Sequence, residues 1–251
     1  MATDQALQIV TLAERPELEA AINAMENDWP QFMYQDPVSW GLSTLVASRA
    51  EYQLLCLDGD TLVAYGHSAP AIWTGDLSEL PSQGWDEMMG RAVRGSQGDR
   101  DADLGLVSAF EISVTVSRRG QGLSALMLDA MRDNARDHGF ADLVAPVRPN
   151  AKHREPRTAI AEYAARVRDD GLPADPWLRV HARAGGRIVG VCQASMSIAA
   201  SLTAWREWTG LPLDVDGDVD VPGALVPVQV SVARDLAVYT EPNVWVHHRL
   251  T

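Results

Sequence analysis

The chain has 251 residues, 46% of them hydrophobic, and a formal net charge of −13 at pH 7. That is long enough to bury a sizeable core, and with no low-complexity tract or domain-separating linker it reads as one α/β unit over residues 1–251. The acidic balance excludes a general nucleic-acid or anionic-membrane binder, which needs a basic footprint, and neither a leader-like start nor an apolar run of transmembrane length is present.

In chain order, Gln8–Leu12 alternates as a short strand. Pro16 then opens a helix with Leu18, Ile22 and Met25 on one face. Asn27–Asp36 (NDWPQFMYQD) is an aromatic-rich connection to a second helix over Val38–Ala50. The runs Tyr52–Leu57 and Leu62–His67 flank Asp58-Gly59-Asp60, a hairpin signal. Ser68–Asp101 is the least regular part, with a short helix expected over Trp85–Val93 and a flexible loop in GSQGDRDAD. Cys56 and Cys192 fall inside expected strands without metal-like spacing, which suits two buried, reduced thiols and a cytoplasmic protein.

Leu104–Val116 reads as a long central strand buried on both faces. SRRGQGLS follows, then an amphipathic helix carrying Leu123, Leu126, Met127, Ala130 and Met131, and then a strand in ADLVAPVRPN. The turn between them carries chemistry. Gly120 and Gly122 keep side chains off the backbone and permit positive φ. The N–H groups of about Gln121 to Ala125 have no intrahelical acceptor, the helix dipole adds positive charge, and Arg118 and Arg119 add more. Such a strand–turn–helix suits a phosphate or pyrophosphate. The spacing matches neither G-x-G-x-x-G nor G-x-x-x-x-G-K-[ST].

Beyond Asn150, helices are expected over Thr158–Arg168, Trp177–Ala184 (capped by Asp175-Pro176) and Ser201–Trp208, and strands over Arg187–Gln193, Leu225–Val230 and Val238–Val246. The acidic run Asp214–Asp220 lacks the glycine placement and the final Glu of a calcium loop and reads as a turn. His247-His248 has no partner at ligand spacing, so no metal is assigned. No G-x-S-x-G elbow is present.

Arg119-Gly120-Gln121-Gly122-Leu123-Ser124 resembles the Q/R-x-x-G-x-G/A signature of the GNAT N-acetyltransferase superfamily, with Ser124 where Gly or Ala is usual. The resemblance implies a GNAT-like mixed sheet flanked by helices, with extra helices inserted after the fifth strand. It implies acetyl-CoA as acyl donor, no metal, and a small-molecule amine as acceptor; a homodimer is compatible with it. Ile112, Ser113 and Val114 would hold the pantetheine arm, while Arg118, Arg119, Gly120, Gln121, Gly122, Leu123 and Ser124 would hold the pyrophosphate, with Asn150 completing the set. The segment joining the first two helices lines the acceptor pocket in such enzymes, which makes Trp29, Phe32, Met33 and Tyr34 pocket candidates or, equally, core plugs.

Val180–Val189 resembles the segment whose Tyr protonates the departing CoA thiolate, and register puts His181 on that position, with Tyr163 as the rival acid. Glu111, alone in an apolar strand, is the candidate base, against a structural ion pair; Glu155 and Glu162 are alternatives. A non-catalytic acyl-CoA sensor and a longer-chain acyltransferase are the other readings of the same resemblance. Twenty arginines against one lysine, Lys152, read as GC-rich bacterial coding bias.

Overall fold

In a computed structural model of the chain, residues 6–98 and 104–250 are described. The strands are β1 (Gln8–Thr11), β2 (Gln53–Asp58), β3 (Thr61–Ile72), β4 (Leu104–Val114), β5 (Asp142–Val147), β6 (Arg187–Ala200), β7 (Gly217–Val219), β8 (Val228–Ser231) and β9 (Leu236–Arg249). They form one nine-stranded sheet in the order β1-β2-β3-β4-β5-β9-β8-β7, with β6 pairing β9. Among the described residues, only the β4–β5 pair is parallel. The mixed sheet and its flanking helices bear out the fold expected from the sequence.

The helices are α1 (Glu19–Ala24), α2 (Trp40–Ser48), α3 (Gly84–Ser96), α4 (Leu123–Asp137), α5 (Ile160–Ala164), α6 (Pro176–Arg183) and α7 (Leu202–Thr209). Alternation along the strands sorts them onto two faces. Val107, Ala109, Leu143, Ala145, Val147, Val244 and Val246 pack with Leu123, Met127 and Met131 of α4 and Leu178 of α6. Leu106, Val144 and Trp245 point the other way, onto Leu45 of α2 and Met88, Met89 and Ala92 of α3. Among the described residues, no helix is long and apolar enough to cross a membrane.

Several boundaries differ from expectation. β3 runs on to Ile72 with Pro70 inside it, because the long β4 offers partners as far as Leu104. The residues after it do not stay irregular: α3 extends to Ser96, and part of the expected loop, residues 99–103, lies outside the described residues. The helix expected over Thr158–Arg168 shrinks to α5, since the chain turns back for the bridge between Val167 and Pro173. β6 continues past Gln193 to Ala200, after a register break between Cys192 and Met196. The α3 N-terminus fills that break: the Trp85 N–H bonds Ser195 Oγ at 2.9 Å, and a Cβ on Gly84 would come within 2.4 Å of the same atom. In the acidic run, Gly217–Val219 is β7 rather than turn, because β8 lies alongside to pair it.

Candidate active site

Two features of β4 open the sheet. β4 and β5 pair only at Val107–Leu143 and Ser108–Val144, then diverge. Just beyond, the pairing with β3 steps from Ser68–Ala109 to His67–Glu111, leaving Phe110 as a bulge. A bulged strand bends and twists locally, turning its next residues away from the former neighbour. Ile112, Ser113 and Val114 are therefore paired to β3 on one edge and to no strand on the other. An extended chain can add to that free edge.

The glycine turn ends this edge. Gly120 has φ +76° and Gly122, the residue before α4, has φ +84°, and a Cβ on either would meet nothing within 4 Å. Glycine serves backbone conformation here, and the space above the turn is open. Among the described residues no backbone acceptor is recorded for the N–H groups of Gly120 to Ser124, whereas Ala125 bonds Gly122 O at 3.1 Å. The expected run of free donors thus ends one residue earlier than the sequence suggests.

Both turn arginines already have partners. Arg118 pairs with Asp58 and donates to Gln121 Oε1 at 3.0 Å. Arg119 makes a two-pronged pair with Asp28, at 2.5 and 2.7 Å, at the solvent rim. Among the described residues, the donors of the turn without a recorded partner include the backbone N–H groups of Gly120 to Ser124. Asn150 stands exposed in the turn beyond β5.

Glu111 lies at the head of the free edge. Its Oε1 accepts from Tyr65 OH at 3.0 Å, Ser113 Oγ at 2.5 Å and Trp29 Nε1 at 3.3 Å. No bond to its Oε2 is recorded among the described residues, so one oxygen is held in place and the other is left for a guest. Tyr34 is 49% exposed, close enough to Glu111 and Asp28 to feel their charge, and its hydroxyl donates to Asn27. Burial first, then those carboxylates, raise its pKa, so the phenol keeps its proton at neutral pH. The segment Asn27–Asp36 therefore divides its work. Trp29 and Tyr34 stand at Glu111, while Phe32 and Met33 plug the core beside Trp205 and Tyr239.

The two acid candidates go elsewhere. His181 is 2% exposed, its Nδ1 lies 2.9 Å from His248 Nε2, and its ring packs on Trp177. His248 is the β9 partner of Leu143, where β4 and β5 are still paired, so His181 sits at the closed end of the splay. Burial foremost, then mutual repulsion, holds this histidine neutral, far below the usual imidazole range. The structure therefore does not bring His181 together with Glu111 and the free edge of β4. Tyr163 is also buried, and its hydroxyl donates at 2.9 Å to Asp175, the cap of α6. Glu155 and Glu162 are both tied to Arg166 at the surface.

Sequence reasoning passed over Arg148, just beyond β5. Its guanidinium lies 5.4 Å from the Trp29 ring centre. Its Nε bonds both oxygens of the fully buried Glu241, at 3.1 and 2.9 Å, and it also donates to Gly223 O. Glu241 further accepts from Tyr239 OH at 2.7 Å and Asn243 Nδ2 at 3.0 Å, so each of its oxygens has two donors. Among the described residues no group of three or more His, Cys, Asp or Glu could hold a metal.

No family model matches the chain. It is 33% identical over 270 residues to the arginine N-acetyltransferase avaD of Aspergillus versicolor, covering 95% of this chain and 92% of that protein. The loading GNATL domain of CurA from Lyngbya majuscula superposes with a TM-score of 0.62 at 14% identity, over 98% of this chain and 97% of that one. The GNAT-like decarboxylase GphF, solved with isobutyryl-CoA, gives 0.60 at 18% identity, over 98% and 100%. At those identities the two solved structures speak to fold alone.

Proposed function

The chain belongs to the GNAT N-acetyltransferase superfamily and is an acyl-CoA-dependent N-acetyltransferase, and we propose that it acetylates the α-amine of arginine or of a closely similar cationic amino acid. Its similarity to a relative described as an arginine N-acetyltransferase supports the acceptor. The observation that carries the site is the single free oxygen of Glu111, beside the unpaired edge of β4. We take the unit to be one catalytic domain over residues 1–251.

In this reading Ile112, Ser113 and Val114 pair with the pantetheine arm, and the Gly120–Ser124 N–H groups receive the pyrophosphate, with Arg118, Arg119 and Asn150 at the rim. Acetyl-CoA supplies an activated carbonyl and a thiolate leaving group. Glu111 takes one proton from the bound ammonium through Oε2. The freed amine attacks the thioester carbon, the C–N bond forms, and the C–S bond breaks. Tyr34, protonated and exposed beside Glu111, gives its proton to the departing sulfur and regains one from the nitrogen, which sheds its second proton. The guanidinium is permanently charged and is not the nucleophile. His181 and Tyr163 serve the core.

Buried reduced thiols at Cys56 and Cys192 support a cytoplasmic setting. A bacterial source rests on composition alone, since the relative is fungal.

The test is thiol release from acetyl-CoA across a panel of amines. Arginine should drive stoichiometric release, and the product should carry its acetyl group on the α-nitrogen. Release equal to the amine-free background for every amine would defeat the reading and favour a sensor; faster turnover of longer acyl thioesters would change the donor.

A further inference from the structure

Two carboxylates close to this site have no counter-charge. Asp36 ends the segment that carries Trp29, and Asp86 stands in the first turn of α3. Asp36 is 3% exposed; its Oδ1 accepts the Val38 N–H at 2.8 Å, and its Oδ2 has no partner. The buried Oδ1 of Asp86 has none either. The Ser197 N–H of β6 faces both. No ion pair is recorded for either among the described residues. The further charge that both feel is another carboxylate, Glu241, which is already paired with Arg148.

Both aspartates hang from segments that touch the bulge of β4. The Trp85 Nε1–H, next to Asp86, donates to Phe110 O at 3.2 Å, and Trp29 donates to Glu111. A buried carboxylate oxygen without a donor is costly, and native proteins rarely keep one without a use. Burial first, and then Asp36, push the Asp86 carboxyl up to about 8, and burial likewise raises Asp36. The pair thus sits in a place where a cation would relieve it. Asp86 is half-buried and Asp36 is buried, so Asp86 is the more accessible of the two.

We propose that Asp36 and Asp86 form a seat for the guanidinium of the acceptor, holding its side-chain end while the α-amine reaches Glu111. This rests on the arginine reading above. A planar fork of N–H donors can satisfy two carboxylate oxygens from different segments at once, which a neutral urea of the same shape does far less well.

The experiment is calorimetric titration of L-arginine and its uncharged isostere L-citrulline into protein saturated with CoA, with thiol release run in parallel. Wild-type protein should prefer arginine at least ten-fold. Asp86→Asn and Asp36→Asn should each lose that preference through weaker arginine binding, with citrulline binding and the KM for acetyl-CoA unchanged. Equal wild-type affinity for the two ligands, or a preference that survives both substitutions, overturns the seat. If arginine is acetylated while the preference survives, only the seat falls. If another amine is acetylated and arginine is not, the acceptor reading falls and the seat with it. Asp86 is only half-buried, so Asp86→Asn keeps the test open should Asp36→Asn fail to fold.

Discussion

At the scale of single residues, Glu111 is the strongest test of the chemistry. Three donors hold its Oε1, so the carboxylate is positioned before any substrate arrives. Glu111→Gln keeps the shape but cannot take a proton. General acid–base groups contribute about 10²–10⁴-fold, and kcat should fall by that order with the KM for acetyl-CoA little changed. A loss of less than about three-fold in steady-state assays would remove Glu111 as the base. Arg119 makes a weaker claim. Its Asp28 pair is exposed, and exposed pairs are worth about 0–1 kcal/mol, so the guanidinium can be drawn to a phosphate at small cost. Arg119→Ala should weaken CoA several-fold and flatten the salt dependence of binding. An unchanged salt slope in calorimetric titrations would mean that the backbone donors act alone.

At the scale of elements, the turn into α4 was legible because everything it needs is local: positive-φ glycines, unpaired N–H groups and a helix N-terminus within a few residues. The surroundings were not legible in the same way. The bulge at Phe110 depends on the register with β3, and no pattern within β4 announces it. Arg148 meets Glu241 across 93 positions of sequence, and Asp36 and Asp86, fifty residues apart, meet through tertiary packing. Register puts His181 on a helix, where α6 carries it, but register in a motif does not reveal that the ring is buried against His248. Gly122 has a prediction at this scale. At φ +84° any side chain is strained by about 1–2 kcal/mol, and Gly122→Ala should lower stability by that amount as well as weaken CoA. A melting temperature equal to wild type would contradict the left-handed turn.

At the scale of the whole molecule, the His181–His248 pair ties α6 to β9 and should leave a mark on acid stability. Both imidazoles are held neutral, His181 at about 3 and His248 at about 4, with burial the first cause for each. Above an unfolded value of about 6.5 both states are neutral, and the contribution of the pair is complete. As the pH falls below that, the unfolded chain takes up protons that the folded chain refuses. Stability is then lost at up to about 1.4 kcal/mol per pH unit for each histidine, down to the folded values. His181→Gln should make the decline between pH 7 and 5 shallower in urea titrations; parallel profiles would show that the pair stays solvated.

The central claim is that acyl-CoA lies along the free edge of β4 and ends on the glycine turn. Amide hydrogen exchange with and without acetyl-CoA tests it most directly, because the amides on the β5 side of this edge and those of the turn have no recorded partner in the sheet or helix. Protection should rise on adding acetyl-CoA at the amides of Ile112–Val114 that face the splay and at Gly120–Ser124, with little change along the paired β6–β9 ladder. Protection that appears elsewhere while these amides continue to exchange as in the free protein would contradict the account.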